Sequence, residues 1–168
     1  MDPIRVVIVD DHDLVRQGIV GLLQGQEDIE VIGEANSGRD GIELVSEMGP
    51  DVVLMDIAMP GINGLDAARE LSGRYPDVGI VMLTSHDREE YVFEALRAGA
   101  SGYVLKGADV QEVLAAVRAV RRGEMYLQAG APSARAMSMG LMQGVQPTMN
   151  TDPSLEPPTT PPSQTPGR

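Results

Sequence analysis

Apolar and polar positions along this chain fall into a repeating two-part pattern. Short apolar runs, rich in Val and Ile, alternate with longer stretches whose apolar residues recur every three or four positions. The first kind predicts strands buried on both faces, the second amphipathic helices. The strand runs are residues 4–9, 29–35, 52–55, 79–84 and 101–106. Asp13 is the expected N-cap of a first helix that buries Leu14, Val15, Gly18, Ile19, Leu22 and Leu23. Ser37 to Asp40 opens a second helix, with Ile42, Leu44 and Val45 inward and a stop at Gly49-Pro50. A third runs from about Gly64 to Tyr75 through Leu65, Ala68 and Leu71, and ends before Pro76. A fourth spans Arg88 to Ala98 with Val92, Ala95 and Leu96 on one side. Asp109 caps the last, which carries Val113, Leu114, Val117 and Val120 and stops at Gly123. Strand then helix, five times over, predicts an α/β fold: a doubly wound, five-stranded parallel sheet between two layers of helices.

The pattern fails after Gln128. Eight of the twelve prolines fall in the last forty residues, with Thr, Ser, Gly and scattered Met, and no strand or helix period survives. The expected organisation is a folded domain over residues 1–128 and a disordered Pro/Thr/Met-rich tail over 129–168.

Charge sharpens this division. The formal charge is −12, and the tail's Asp152 and Glu156 cancel its Arg135 and Arg168, so all of it belongs to the folded part. An acidic body repels polyanions unless basic residues gather on one face. With no cysteine in the chain, disulfides, thiolate metal sites and a cysteine nucleophile are excluded. No apolar run reaches membrane-span length and no signal peptide is visible, so the expected location is the cytoplasm. Twelve of the thirteen cations are Arg; the single Lys is Lys106. An ammonium is a point charge where a guanidinium is a planar fork, which singles this position out.

The strand ends carry the chemistry. The first strand ends on Asp10-Asp11, the third on Asp56, the fourth on Thr84 and the fifth on Lys106. In a parallel sheet these carboxyl ends share one edge, where ligands bind. Three carboxylates in one cleft repel one another unless a cation sits among them, and an all-oxygen donor set suits Mg²⁺.

With Val9-Asp10-Asp11-His12, Leu54-Met55-Asp56-Ile57-Ala58-Met59-Pro60-Gly61-Ile62-Asn63-Gly64, Leu83-Thr84-Ser85 and Gly102-Tyr103-Val104-Leu105-Lys106, the chain resembles the receiver domain of two-component response regulators. Asp-His after the first strand and Glu94 to Ala100 before the fifth look most like the NarL/LuxR branch. The resemblance covers about residues 4–127 and implies strand order 2-1-3-4-5. It implies Asp56 as phosphoacceptor toward a sensor histidine kinase, and a receiver rather than a turnover enzyme. Asp11, Asp56 and the Ala58 carbonyl would hold Mg²⁺, with Asp10 acting through a bound water. Lys106 and Thr84 would each meet a phosphoryl oxygen. Tyr103 would follow Thr84 by turning inward. A homodimer through the face of the fourth helix, fifth strand and fifth helix is the expected response.

Some positions depart from the common pattern. Gly107 stands where many receivers have proline, and Ala58 offers no polar side chain to an attacking water. His12 and His86 are expected as exposed loop residues rather than metal ligands. The tail shows neither the helix pair nor the basic cluster of a helix-turn-helix, so DNA binding by this chain alone is not expected. The alternative reading is a NarL/LuxR transcription regulator whose DNA-binding part is missing through truncation or frameshift. A dehalogenase-type phosphatase would need a second Asp at position 58, and a flavodoxin phosphate cradle would be repelled by Asp10 and Asp11. A Rossmann glycine turn is absent from the chain.

Overall fold

Val52 to Met55 form a central strand of the sheet, and all four residues are at most 1% exposed. Burying such a side chain contributes about 2 kcal/mol relative to leaving it in water, so a run of four is a strong anchor. The computed structural model describes residues 2–86 and 88–128. Around this strand, β3 (Val52–Met55), the chain lays down β1 (Ile4–Val9), α1 (Asp13–Gln24), β2 (Ile29–Ala35) and α2 (Gly38–Met48). There follow α3 (Gly64–Arg74), β4 (Gly79–Thr84), α4 (Glu89–Arg97), β5 (Gly102–Leu105), α5 (Val110–Arg121) and β6 (Tyr126–Leu127). All pairings are parallel and the order is β2-β1-β3-β4-β5-β6. The expected doubly wound sheet, in the expected order, is therefore present.

The pleat sorts side chains to the two faces. Val6, Ile8, Val52, Leu54, Val81, Leu83 and Val104 pack with Leu23 of α1 and Val113, Leu114, Val117 and Val120 of α5. Val7, Val9, Val53, Met55, Met82 and Tyr103 take the opposite pleat. There α2 comes so close that a Cβ on Gly41 would strike Val9. Helix α3 is tied to α2 by Arg39–Glu70 at 3.7 Å, and to the end of α4 by Ser72 Oγ donating to the Ala98 carbonyl at 2.8 Å.

Local signals placed most boundaries. Ser37 accepts from the Asp40 N–H and Asp109 from the Gln111 N–H, each satisfying a helix donor that lacks an intrahelical partner. Gly49 ends α2 at φ 58°, in the left-handed region that favours glycine.

Three features differ from expectation. Helix α1 starts at Asp13, which is helical rather than the cap; its carboxylate pairs with Arg16 at 2.8 Å. Leu14 is 84% exposed, and Val15 and Gly18 are also exposed. This first turn follows directly on the loop that leaves the strand end, so it stands above the sheet edge. Only the later turns, with Ile19, Leu22 and Leu23, reach the core. Beyond the five expected strands, Tyr126 N–H donates to Ser101 O at 2.8 Å and Gln128 N–H to Tyr103 O at 3.1 Å, making β6. It covers the open edge of β5 with only two residues, too few for a readable period. The expected tail, 129–168, lies outside the described residues.

Candidate functional site

Residues far apart in sequence meet at the carboxyl edge of the sheet. Val9 pairs with Met55, so Asp10 and Asp56 leave neighbouring strands side by side, and Asp56 N–H donates to Val9 O at 3.0 Å. Both side chains are 3% exposed. Thr84 pairs with Leu105, and Lys106 N–H donates to Thr84 O at 2.8 Å, which holds the lysine over the same edge. The Lys106 ammonium lies 2.9 Å from Asp10 Oδ2 and 3.3 Å from Asp56 Oδ2. Asp11 completes the carboxylate group at 25% exposure. The strand ends thus bring together Asp10, Asp11, Asp56 and Lys106, as expected.

Buried Ile57 and Met59 anchor the loop after Asp56, while Ala58 between them is exposed and its backbone N–H donates to the Asp56 carboxylate. Helix α3 closes the loop from below: Gly64 N–H donates to Ile57 O at 2.8 Å, and Asn63 caps the helix on the Asp66 N–H.

Electrostatics follow from this packing. Burial pushes the Asp56 carboxyl above its ordinary 3.8, and the Asp10 carboxylate adds to the rise; Lys106 and the Ala58 N–H oppose it without cancelling it. Burial works to lower the Lys106 ammonium, but its bonds to Asp10 and Asp56 together outweigh that and hold it above 10.5. Asp11 Oδ1 is a buried atom without a hydrogen-bond donor, and Asp56 Oδ2 has the Lys106 ammonium at 3.3 Å. One ligand atom each from Asp10, Asp11, His12 and Asp56 lies within 4.8 Å of all the others, a group that could hold a metal ion.

Lys106→Met is expected to cost about 3 kcal/mol, because removing one partner of a buried pair leaves charge unpaired. A divalent ion should then stabilise the variant more than the parent. Urea midpoints with and without the ion measure both effects, and a loss under about 0.5 kcal/mol would show that water already screens the pair.

Thr84 and Tyr103 converge on one backbone unit. Thr84, fully buried, accepts from His86 N–H at 3.1 Å, and the Tyr103 hydroxyl donates to His86 O at 2.6 Å. Tyr103 is already inward, at 0% exposure. Nothing in the sequence pointed to His86 as the joint between them, since it acts through its backbone. His12 is exposed, as expected. Its side chain is 59% exposed, yet Nδ1 lies 3.1 Å from Asp10 Oδ1 and 3.2 Å from Asp11 Oδ1.

Residues 6–118 match the response regulator receiver domain family, which is two thirds of the chain. The chain belongs to that family. The chain is 44% identical over 124 residues to the transcriptional regulatory protein DegU of Brevibacillus brevis, covering 74% of this chain and 52% of that protein. It is 40% identical over 150 residues to the response regulator GacA of Pseudomonas viridiflava, covering 89% and 68%. Among solved structures, a LuxR-family two-component response regulator from Aurantimonas sp. SI85-9A1 superposes with TM-score 0.77 at 30% identity, over 82% of this chain and 99% of that one. These relatives place the receiver in the NarL/LuxR branch. The chain spans roughly half to two thirds of the length of the curated relatives named here. This is a family of signalling receivers, not of turnover enzymes. Among the described residues, no helix is long and apolar enough to cross a membrane.

Proposed function

We propose that the receiver takes a phosphoryl group on Asp56 from a phosphohistidine of a sensor kinase, in the cytoplasm, and signals by changing its protein contacts. A carboxylate oxygen of Asp56 attacks phosphorus as the P–N bond breaks, and the electron pair leaves with the kinase imidazole, which takes up a proton. The observation that carries this reading is a 3%-exposed carboxylate whose Oδ2 faces the ammonium of the chain's single lysine at 3.3 Å. The ammonium of Lys106 holds the carboxylate in place beforehand and is near enough to meet a phosphoryl oxygen afterwards. Asp11, Asp56 and the Ala58 carbonyl, with Asp10 through a water, would hold Mg²⁺; when bound, that ion neutralises charge on the transferring group. The three carboxylates and the orphaned Asp11 Oδ1 suit such an ion. Incubation with acetyl phosphate and Mg²⁺ should add one phosphoryl group per chain. Borohydride reduction should convert residue 56, and no other acid, to homoserine.

The switch runs through Thr84 and Tyr103. A hydrogen bond to a charged group contributes about 1.5–3 kcal/mol, whereas turning a population from 1:99 to 99:1 takes about 5.5 kcal/mol. Thr84 alone is therefore too weak, and Lys106 together with dimerisation through the α4-β5-α5 face supplies the remainder. Sedimentation over a concentration series should show a smaller monomer fraction after phosphorylation. Equal monomer fractions would rule the dimer out. Output runs through protein contacts, and DNA binding by this chain alone forms no part of it.

A further inference from the structure

We infer that β6 is a strap over the α4-β5-α5 face, and that a second copy of the chain reaches this face only when the strap is released. The inference rests on the dimer proposed above and adds the condition under which its surface is open.

Strand order decides where the strap lies. On this side of the sheet β6 pairs with the edge of β5 that β4 leaves open, so the outermost strand of the face is β6 and not β5. Three backbone groups along that edge are already taken. Tyr126 N–H donates to Ser101 O at 2.8 Å, Gln128 N–H donates to Tyr103 O at 3.1 Å, and Leu105 N–H donates to Gln128 Oε1 at 2.7 Å. A second copy cannot bond the same groups while the strap holds them. Tyr126 also packs against the core cluster that contains Val104 of β5 and Val113 and Val117 of α5, and its hydroxyl donates to the Glu112 carboxylate. Burial and that carboxylate push the hydroxyl up to about 12, so it keeps its proton, and this bond, at neutral pH. Lifting the strap therefore uncovers strand edge and apolar surface together, the combination that drives self-association.

The strap is held lightly. It has two strand residues, Tyr126 to Gln128 are only half-buried, and Glu124 and Met125 before them are exposed. One of its three edge bonds is made by a side-chain amide in place of a third ladder residue. A short, half-solvated element of this kind opens far below the cost of global unfolding. Its anchors are also parts of the switch. Tyr103, whose carbonyl holds Gln128, donates its hydroxyl to His86 O, and Leu105, which donates to Gln128, directly precedes Lys106. Movement of Lys106 toward a phosphoryl oxygen thus bears on the residue that anchors the end of the strap. The rival arrangement is a dimer built over a closed β6, with the strap as part of the interface.

The test uses the full chain, with beryllofluoride and Mg²⁺ standing in for the phosphoryl group. Amide exchange at Tyr126 and Gln128 reports the strap, and sedimentation over a concentration series reports the dimer. The exchange measurement needs no substitution, and protection at both amides should fall about tenfold or more when beryllofluoride drives the dimer. Tyr126→Phe removes the bond to Glu112 and should raise the open fraction about tenfold. Because both copies must open, the dissociation constant of the unphosphorylated variant should fall about a hundredfold. Gln128→Ala, at the exposed end of the strap, should shift it in the same direction. A beryllofluoride dimer with Tyr126 and Gln128 as protected as in the monomer overturns the strap and leaves the dimer standing. Variants that self-associate while the beryllofluoride-treated parent stays monomeric uphold the strap and remove the phosphorylation-driven dimer. Parent and variants that all stay monomeric overturn both.

Discussion

Asp56→Asn will take up no phosphoryl group from acetyl phosphate, and without divalent ions it will be more stable than the parent at neutral pH. The amide matches the carboxylate in shape but has no anionic oxygen to attack phosphorus, so uptake falls from one group per chain to none detectable. The gain in stability comes from the burial of residue 56. Asp56 is 3% exposed beside Asp10, and its carboxyl sits above the ordinary 3.8 because burial and that neighbour outweigh Lys106. Between 3.8 and the raised value the folded state binds more protons than the unfolded one. Stability from this group therefore falls as pH rises through that window, and the penalty is complete above the raised value. Replacing the charge removes that penalty. The advantage of Asn over Asp should shrink as pH drops through the raised value toward 3.8, and shrink again when a divalent ion is added to the parent. Urea denaturation from acid to neutral pH, with intact mass for uptake, measures all of it. Phosphorylation persisting in Asp56→Asn would move the acceptor to another acid and defeat the reading.

Gly64→Ala will unfold the loop or cost about 4 kcal/mol or more, the range reserved for backbone overlap in a packed site. A Cβ there would fall on the Asp56 carbonyl oxygen and within 2.8 Å of the Asp56 carbonyl carbon and Ile57 Cα. All three are backbone atoms, and the Gly64 N–H to Ile57 O bond pins them in place. The loop carrying Asp56 has to shift, so on the proposed reading surviving protein should also lose phosphoryl uptake. Gly73, near the other end of α3, is the control. It is exposed, and a Cβ there would meet nothing within 4 Å, so Gly73→Ala should stabilise by about 0.5–1 kcal/mol through helix propensity. Thermal unfolding of the two variants should move in opposite directions. A Gly64→Ala protein within about 1 kcal/mol of the parent, judged from its midpoint, would mean the loop is softer than its packing indicates.

The amino-acid order by itself determined the alternation of strands and helices, the buried central run at Val52 to Met55, and the charged or hydroxyl residue after each functional strand. These are local signals: a period of two or 3.6, a capping side chain, a glycine stop. Parallel pairing then forces the strand ends onto one edge, so Asp10, Asp11, Asp56, Thr84 and Lys106 were legible from spacing alone. Only the tertiary structure decided what depends on direction rather than order. The first turn of α1 has an amphipathic pattern but no sheet beneath it, so Leu14 is exposed. The two residues of β6 acquire strand structure because β5 has an open edge. Thr84 and Tyr103 are joined through the backbone of His86, which no side-chain pattern reports. His12 sits on an exposed loop, as its sequence context predicted, but a side-chain rotation sets its Nδ1 among the carboxylates. Rotation about a side-chain bond leaves no trace in sequence spacing, whereas contact with a charged pocket settles it.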